Sequence, residues 1–272
     1  MKTALVLIAT LAIVGSAFGT AGSVIRSFTL PGQPASGARG LAYDWSDGNI
    51  WAAGPATTNV IQFGKFNPTT GSMVVNWATA SGAYWVFDIG YGYQVSGTRY
   101  LVFVDQNAPR VRLFTTTGSY YGSMSDPFSG GYDEGVDCDW DGTYVYLTNY
   151  AQTPIYRWTG SSWSSFATVP ATPPMGCATG WGKVFAVTTS SDYKIYQYNT
   201  SGSLEASIPL QNWGTTYMVG MSIGRQNVVG SEDSVFLAVF YPSSMIYEVS
   251  VGDVAGSGIA PSSLGKIKTL YR

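Results

Sequence analysis

Along this chain, short runs of alternating apolar and polar residues are cut off by clusters of Gly, Ser, Thr, Asn and Asp, and no run keeps a helical period for long. The segment GLAYDWSDGNIWA, residues 40–52, is representative: a short strand, a polar turn and a second strand. It returns in altered form as GVDCDWDGTYVYL from Gly135. Aligning on the start of each such unit gives Gly40, Val86, Gly135, Gly176 and Gly220, spaced 46, 49, 41 and 44 positions apart. A period of that length signals a repeat fold whose units stack on one another to bury their apolar faces.

Within the units, a second strand, a polar turn and a third strand are the most regular part: IWAAGPATTNVIQFGKF, LVFVDQNAPRVRLFTTTG, VYLTNYAQTPIYRWTGSS, VFAVTTSSDYKIYQYNTSG and VFLAVFYPSSMIYEVSVGD. Each third strand mixes apolar with polar positions (Ile155 and Arg157, Ile195 and Gln197, Ile246 and Glu248), which predicts one buried and one exposed face. A fourth strand follows as SMVVNWA, SYYGSMS, SSFATVP and SLEASIPL. Four antiparallel strands per unit, set around an axis, protect sheet edges that a row of hairpins would leave open. The expected fold is therefore all-β: a β-propeller of four-stranded antiparallel blades. The N-terminal SFTLPGQPASGARGLAYDW matches SFATVPATPPMGCATGW, in which a fourth strand leads into the next unit. Val24 to Leu30 is thus predicted to be an outer strand that joins the last blade and closes the ring. That arrangement has five blades. Six is the alternative, because the tail GKIKTLYR (Gly265–Arg272) also reads as an outer strand.

The phrase GLAYDWSDGNIWAAG followed by NVIQFGKFNPTTGSMV resembles the blades of secreted NHL-type and low-density-lipoprotein-receptor-type propellers. It is also similar to blades of lactonase-like and streptogramin-lyase-like propellers and of five-bladed glutaminyl cyclotransferases. The resemblance spans nearly the whole mature chain but rests on the blade, so it implies architecture and hardly any activity.

Composition adds direction. Only 11% of residues are charged while 15% are aromatic, and 33 Gly with 13 Pro leave little room for helix. Residues 1–19, MKTALVLIATLAIVGSAFG, carry one lysine, an apolar run from Ala4 to Val14 and small residues at Ala17 and Gly19, the pattern of a secretory signal peptide. Residues 24–272 then form a single propeller domain that is secreted, extracellular or on the cell surface, with the periplasm also allowed. No later segment is apolar enough for membrane insertion. Without Lys2, 13 basic residues face 16 acidic ones, a net charge of −3 with no basic cluster, so nucleic acid is not an expected partner.

Candidate chemistry is bounded by what is missing. The chain has no histidine, which removes Ser-His-Asp triads, Cys-His pairs and His-ligated zinc. It also weighs against streptogramin-lyase-like chemistry, which in that family depends on histidine. Cys138 and Cys177 lie in the first strands of neighbouring units, which predicts a disulfide in an exported protein; buried free thiols are the alternative. The run from Tyr132 to Asp141 gathers Asp133, Glu134, Asp137, Asp139 and Asp141; three of them would share one strand face. Either they form an oxygen-ligand Ca²⁺ site or, as Asp44 and Asp47 would in the first unit, Asp139 and Asp141 support a turn. Otherwise no cofactor is expected.

In the propellers it resembles, ligands meet the loops that lead into each first strand and those between second and third strands. Here those loops offer Arg39, Tyr84, Trp85, Asp105, Arg110, Tyr132, Asp133, Glu134, Tyr150, Trp213, Tyr217 and Tyr241 as ligand-binding candidates. Aromatic faces beside hydroxyls and carboxylates suit a glycan or an extended peptide. The leading expectation is a non-enzymatic module binding a glycan, peptide or protein. The alternatives are a carboxylate-dependent hydrolase, lyase or cyclotransferase, and a subunit that self-assembles by exchange of a terminal strand.

Overall fold

The computed structural model describes residues 20–254, apart from 58–59, 83–84, 106–109, 129–132, 140, 171–172, 189–191, 213–217, 225–232 and 241–243; of 110, 133–134 and 218–219 it describes the backbone alone. The predicted leader (1–19) and the tail strand (Gly265–Arg272) lie outside these residues. Twenty strands form five antiparallel sheets of four, with no helix among the described residues.

After β1 (Val24–Phe28), blade 1 holds β2 (Gly40–Asp44), β3 (Asn49–Thr57), β4 (Val60–Phe66) and β5 (Met73–Ser81). Blade 2 holds β6 (Val86–Val95), β7 (Thr98–Asp105), β8 (Arg110–Phe114) and β9 (Tyr120–Met124). Blade 3 holds β10 (Asp133–Cys138), β11 (Val145–Asn149), β12 (Gln152–Trp158) and β13 (Trp163–Thr168). Blade 4 holds β14 (Gly176–Gly180), β15 (Lys183–Thr188), β16 (Lys194–Asn199) and β17 (Leu204–Pro209). Blade 5 takes β18 (Met218–Ile223), β19 (Asp233–Val239) and β20 (Met245–Gly252), and its outer strand is β1, as the N-terminal pattern predicts. The ring closes where β18 packs on β2.

Turn chemistry sets the hairpins. Ser96-Gly97 and Trp181-Gly182 connect first to second strands in blades 2 and 4, with φ of 52° and 80°, and 53° and 71°. Two successive left-handed residues make the turn whose twist matches paired strands. Between third and fourth strands, Asn67 Oδ1 accepts from the Thr69 and Thr70 amides, and Asn199 Oδ1 does the same for Ser201 and Ser203.

Burial grades from the axis outward. First and second strands are almost wholly buried, whereas the outer strands expose Val74, Tyr120 and Leu204. Five apolar cores lie between adjacent blades rather than within any one of them; that closing the ring joins Phe28, Phe66 and Phe236 edge to face at 5.9–6.3 Å. Because each blade is covered on both sides, the expected exposed face of the third strands fails: Gln197 and Glu248 are buried. Glu248 accepts from Arg26 Nε at 2.5 Å and Ser234 Oγ at 2.8 Å. Arg26 also donates to the Thr69 and Pro68 carbonyls of blade 1 and lies over Phe28 and Phe236. One side chain thereby fastens β1 to its own blade and to the next.

The predicted disulfide is not formed; Cys138 and Cys177 are free buried thiols. Cys138 belongs to the core between blades 2 and 3 and Cys177 to the core between blades 3 and 4. Each thiol faces the preceding blade, so the β10 backbone stands between them.

Candidate functional site

The first strands begin at one end of the axis, and alignment of the units puts Gly40, Asp88, Gly135, Gly176 and Gly220 at one level. A Cβ at Gly40 would sit 2.5 Å from the Ile89 nitrogen, one at Gly135 2.5 Å from Gly176 Cα, and one at Gly220 2.2 Å from the Arg39 carbonyl oxygen. Backbones this close admit only glycine. Asp88 is the single side chain at that level and is fully buried. Its Oδ1 accepts from the Leu41 and Ile89 amides at 3.1 and 2.9 Å, and its Oδ2 from the Val136 amide at 3.0 Å. Three blades are thus tied through one carboxyl, which burial pushes well above the usual carboxylate range against the pull of those amides. Asp137 repeats the device one blade on: it is buried, its Oδ2 accepts from the Thr179 amide at 2.7 Å, and burial raises it likewise.

Above the axial level lies the face built from the loops singled out in the sequence. Arg39 and Trp85 are brought together there: the Arg39 guanidinium lies 3.7 Å from the ring centre of Phe240, 5.0 Å from Trp85 and 5.3 Å from Phe87. Arg39 is only 3% exposed, while Trp85 and Phe240 are partly open. Cation–π contact from three rings holds the group rigid. Asp105 is fully buried, pairs with Arg112 Nε at 3.0 Å and accepts from the Trp85 amide at 3.4 Å. Arg112 also donates to the Gly82 carbonyl, so Asp105 and Arg112 set the loop that carries Trp85. Tyr150 is exposed on the same face in the turn after β11. The backbones of Arg110, Asp133 and Glu134 start β8 and β10, and their side chains lie outside the described residues, as do Tyr84, Tyr132, Trp213, Tyr217 and Tyr241. Phe87 and Phe240 were missed by the loop reading. Phe87 had a signal, since it precedes Asp88 as Arg39 precedes Gly40.

The acidic run does not present a common face. Asp137 turns into the ring, and β10 ends at Cys138, leaving Asp139 and Asp141 in the following turn. There Asp139 Oδ1 accepts from the Tyr144 amide at 2.8 Å and Asp141 Oδ1 from the Thr143 amide at 2.9 Å. Asp44 does comparable work in blade 1, accepting from the Ser46 amide at 2.9 Å and from Lys65 Nζ at 2.6 Å. Among the described residues no three acidic or thiol groups converge as metal ligands.

No family model matches the chain. No curated protein matches it either. Among solved structures, the chain is similar to the tail fibre of Staphylococcus aureus phage P68, at 11% identity over 88% of this chain and 56% of that one, with a TM-score of 0.53. It also resembles a luciferin-regenerating enzyme, at 10% identity over 80% of this chain and 92% of that one, with a TM-score of 0.44. The tail-fibre likeness is one of fold; the luciferin-regenerating enzyme superposes too loosely to bear on this chain.

Proposed function

We propose that this is an exported, non-enzymatic propeller that binds a glycan on the loop face above its axis. The observation that supports this reading is the cluster of Trp85, Phe87 and Phe240 around Arg39, in which two rings are partly exposed and the cation beneath them fixes their orientation. Rings held this way offer flat apolar contact to a sugar with little loss of side-chain freedom on binding. The described carboxylates nearest the axis are engaged in structure: Asp88 with amides, Asp137 with Thr179, Asp105 with Arg112. That use of the acidic groups favours recognition over acid–base catalysis.

The test is a glycan array probed with residues 20–272 and with Trp85→Ala, alongside melting curves for both. The expected result is binding by the wild type that falls about tenfold or more in the variant, as for loss of an aromatic anchor, with the fold retained. A wild type that binds no glycan, or a folded Trp85→Ala variant with an unchanged profile, would defeat the proposal.

A further inference from the structure

At the opposite end of the ring, where first strands turn into second and third into fourth, blades 3 and 4 part to form a cleft of about 110 Å³. Asp139, Tyr144, Tyr146 and Arg157 come from blade 3; Thr179, Gly180, Gly182, Lys183, Val184 and Thr200 come from blade 4. Its volume is below the roughly 300–1,000 Å³ of pockets for drug-sized molecules, which suits a single small ligand.

The charged side chains of this cleft have protein partners, but one donor among them is left over. The Arg157 guanidinium lies over the rings of Tyr144 at 4.7 Å and Phe166 at 5.4 Å, and Tyr146 lines the cleft beside it. Its buried Nε has no protein hydrogen-bond partner among the described residues. An unmet buried N–H of this kind costs about 1–3 kcal/mol, so its place on the wall of a cleft that also carries Asp139 and Lys183 points to a ligand atom. Lys183, whose side chain is 15% exposed, reaches Glu205 at 2.7 Å and adds a second cation to the wall. Unit alignment strengthens the point. The position of Arg157 holds Phe63 in blade 1 and Leu113 in blade 2, both core residues. Blades 4 and 5 have Gln197, which donates to Glu205 at 3.1 Å, and Glu248, which accepts from Arg26.

We propose that this cleft binds a small organic acid bearing hydroxyl groups, of the sugar-acid class, with Arg157 and Lys183 receiving the carboxylate and Asp139 and Tyr146 meeting the hydroxyls. The site is separate from the loop face and does not rest on the glycan reading. Asp139 makes the binding depend on pH. Burial foremost, then the neighbouring Asp141 carboxylate, lifts its carboxyl to about 6, against the pull of the Tyr144 amide. The groups around it are Asp141 on its own turn, Asp137 on β10, Arg99 on β7, Tyr146 and Arg157 on β11 and β12, and Lys183 with Glu205 beyond. With Asp139 ionised, an entering carboxylate meets a like charge; with Asp139 protonated, that repulsion goes and a donor is gained.

Isothermal titration of residues 20–272 with D-glucuronate, D-glucose and acetate tests this. Glucuronate is expected to bind more tightly than either control, with affinity rising about fivefold or more from about pH 7.5 to about pH 5, the scale of an ordinary coupling between two ligands. Asp139→Asn should abolish the pH dependence and leave binding at neutral pH at least as tight as in the wild type. Arg157→Gln should remove binding. If that variant fails to fold, Lys183→Met, which gives up only a partly exposed ion pair, should weaken binding severalfold in a folded protein. Trp85→Ala should leave glucuronate binding unchanged. Absence of glucuronate binding by the wild type at tens of millimolar overturns the proposal, as does equal binding of glucose, a flat pH profile, or indifference to Lys183→Met.

Discussion

The two ends of the axis each hold an arginine on aromatic rings and a carboxyl on backbone amides, but to different effect. At the loop end, Asp88 is engaged by backbone amides of neighbouring blades, and Arg39 is packed among rings. At the other end, Arg157 is likewise packed on rings but its Nε has no protein partner among the described residues, and Asp139 holds its proton unusually tightly. Both ends are built from the same repeat. The difference teaches that buried carboxyls in a repeat protein fall into two kinds, those such as Asp88 that join one unit to the next and those such as Asp139 that serve their own turn.

Deleting the axial carboxyl is the strongest way to break that comparison. Asp88→Gly restores the residue found in the other four blades but strips three amides of their acceptor. Equilibrium urea unfolding should show a loss of about 4 kcal/mol, since each buried group left unmet costs about 1–3. A loss below about 1 kcal/mol would mean that the carboxyl is not what joins the blades. The clasp comes next. Arg26→Met leaves the buried Glu248 with its charge uncompensated, and about 2–3 kcal/mol should be lost, somewhat under the cost of breaking a fully buried pair because Arg26 is itself part-exposed. A change no larger than that of a surface pair, up to about 1 kcal/mol, would show that strand pairing alone holds β1. The smallest effect concerns Asp139. Its carboxyl sits at about 6 in the folded protein against 3.8 ordinarily, so the native state binds the proton more tightly than the unfolded chain does. Its contribution to stability is therefore greatest below the ordinary value and falls as pH rises toward 6. Melting curves between those limits should slope downward in the wild type and run flatter in Asp139→Asn; parallel slopes would argue against the shift.

The blade count and the closing strand were legible because both are properties of the repeat. A fourth-strand motif stranded at the N-terminus can be satisfied only by the last blade, and β1 on β20 is that solution. Arg39 and Trp85 were legible as loop residues, although their mutual contact was not. The thiol pair misled because neighbouring first strands are close while their side chains face successive cores. Asp137 misled because the strand was read one turn too long, which put it on a face with Asp139 and Asp141. The cleft draws on β11, β12, β15 and three turns, so no local motif announces it. Its one trace was a column of the repeat where Phe63 and Leu113 give way to Arg157, Gln197 and Glu248, visible only when burial is known for all five units.

Synthesis runs from the first strand to the last, and the clasp partners Arg26 and Glu248 lie 222 positions apart. The nascent chain therefore carries β1 with nothing to pair with until β20 has emerged, and the Phe28 ring waits with it for Phe236. Completion of the molecule is a late step of very long sequence separation, the kind that folds slowly and leaves intermediates prone to clumping. One strand with its Phe28 ring therefore stays unpaired for nearly the whole time the ribosome takes to make the protein.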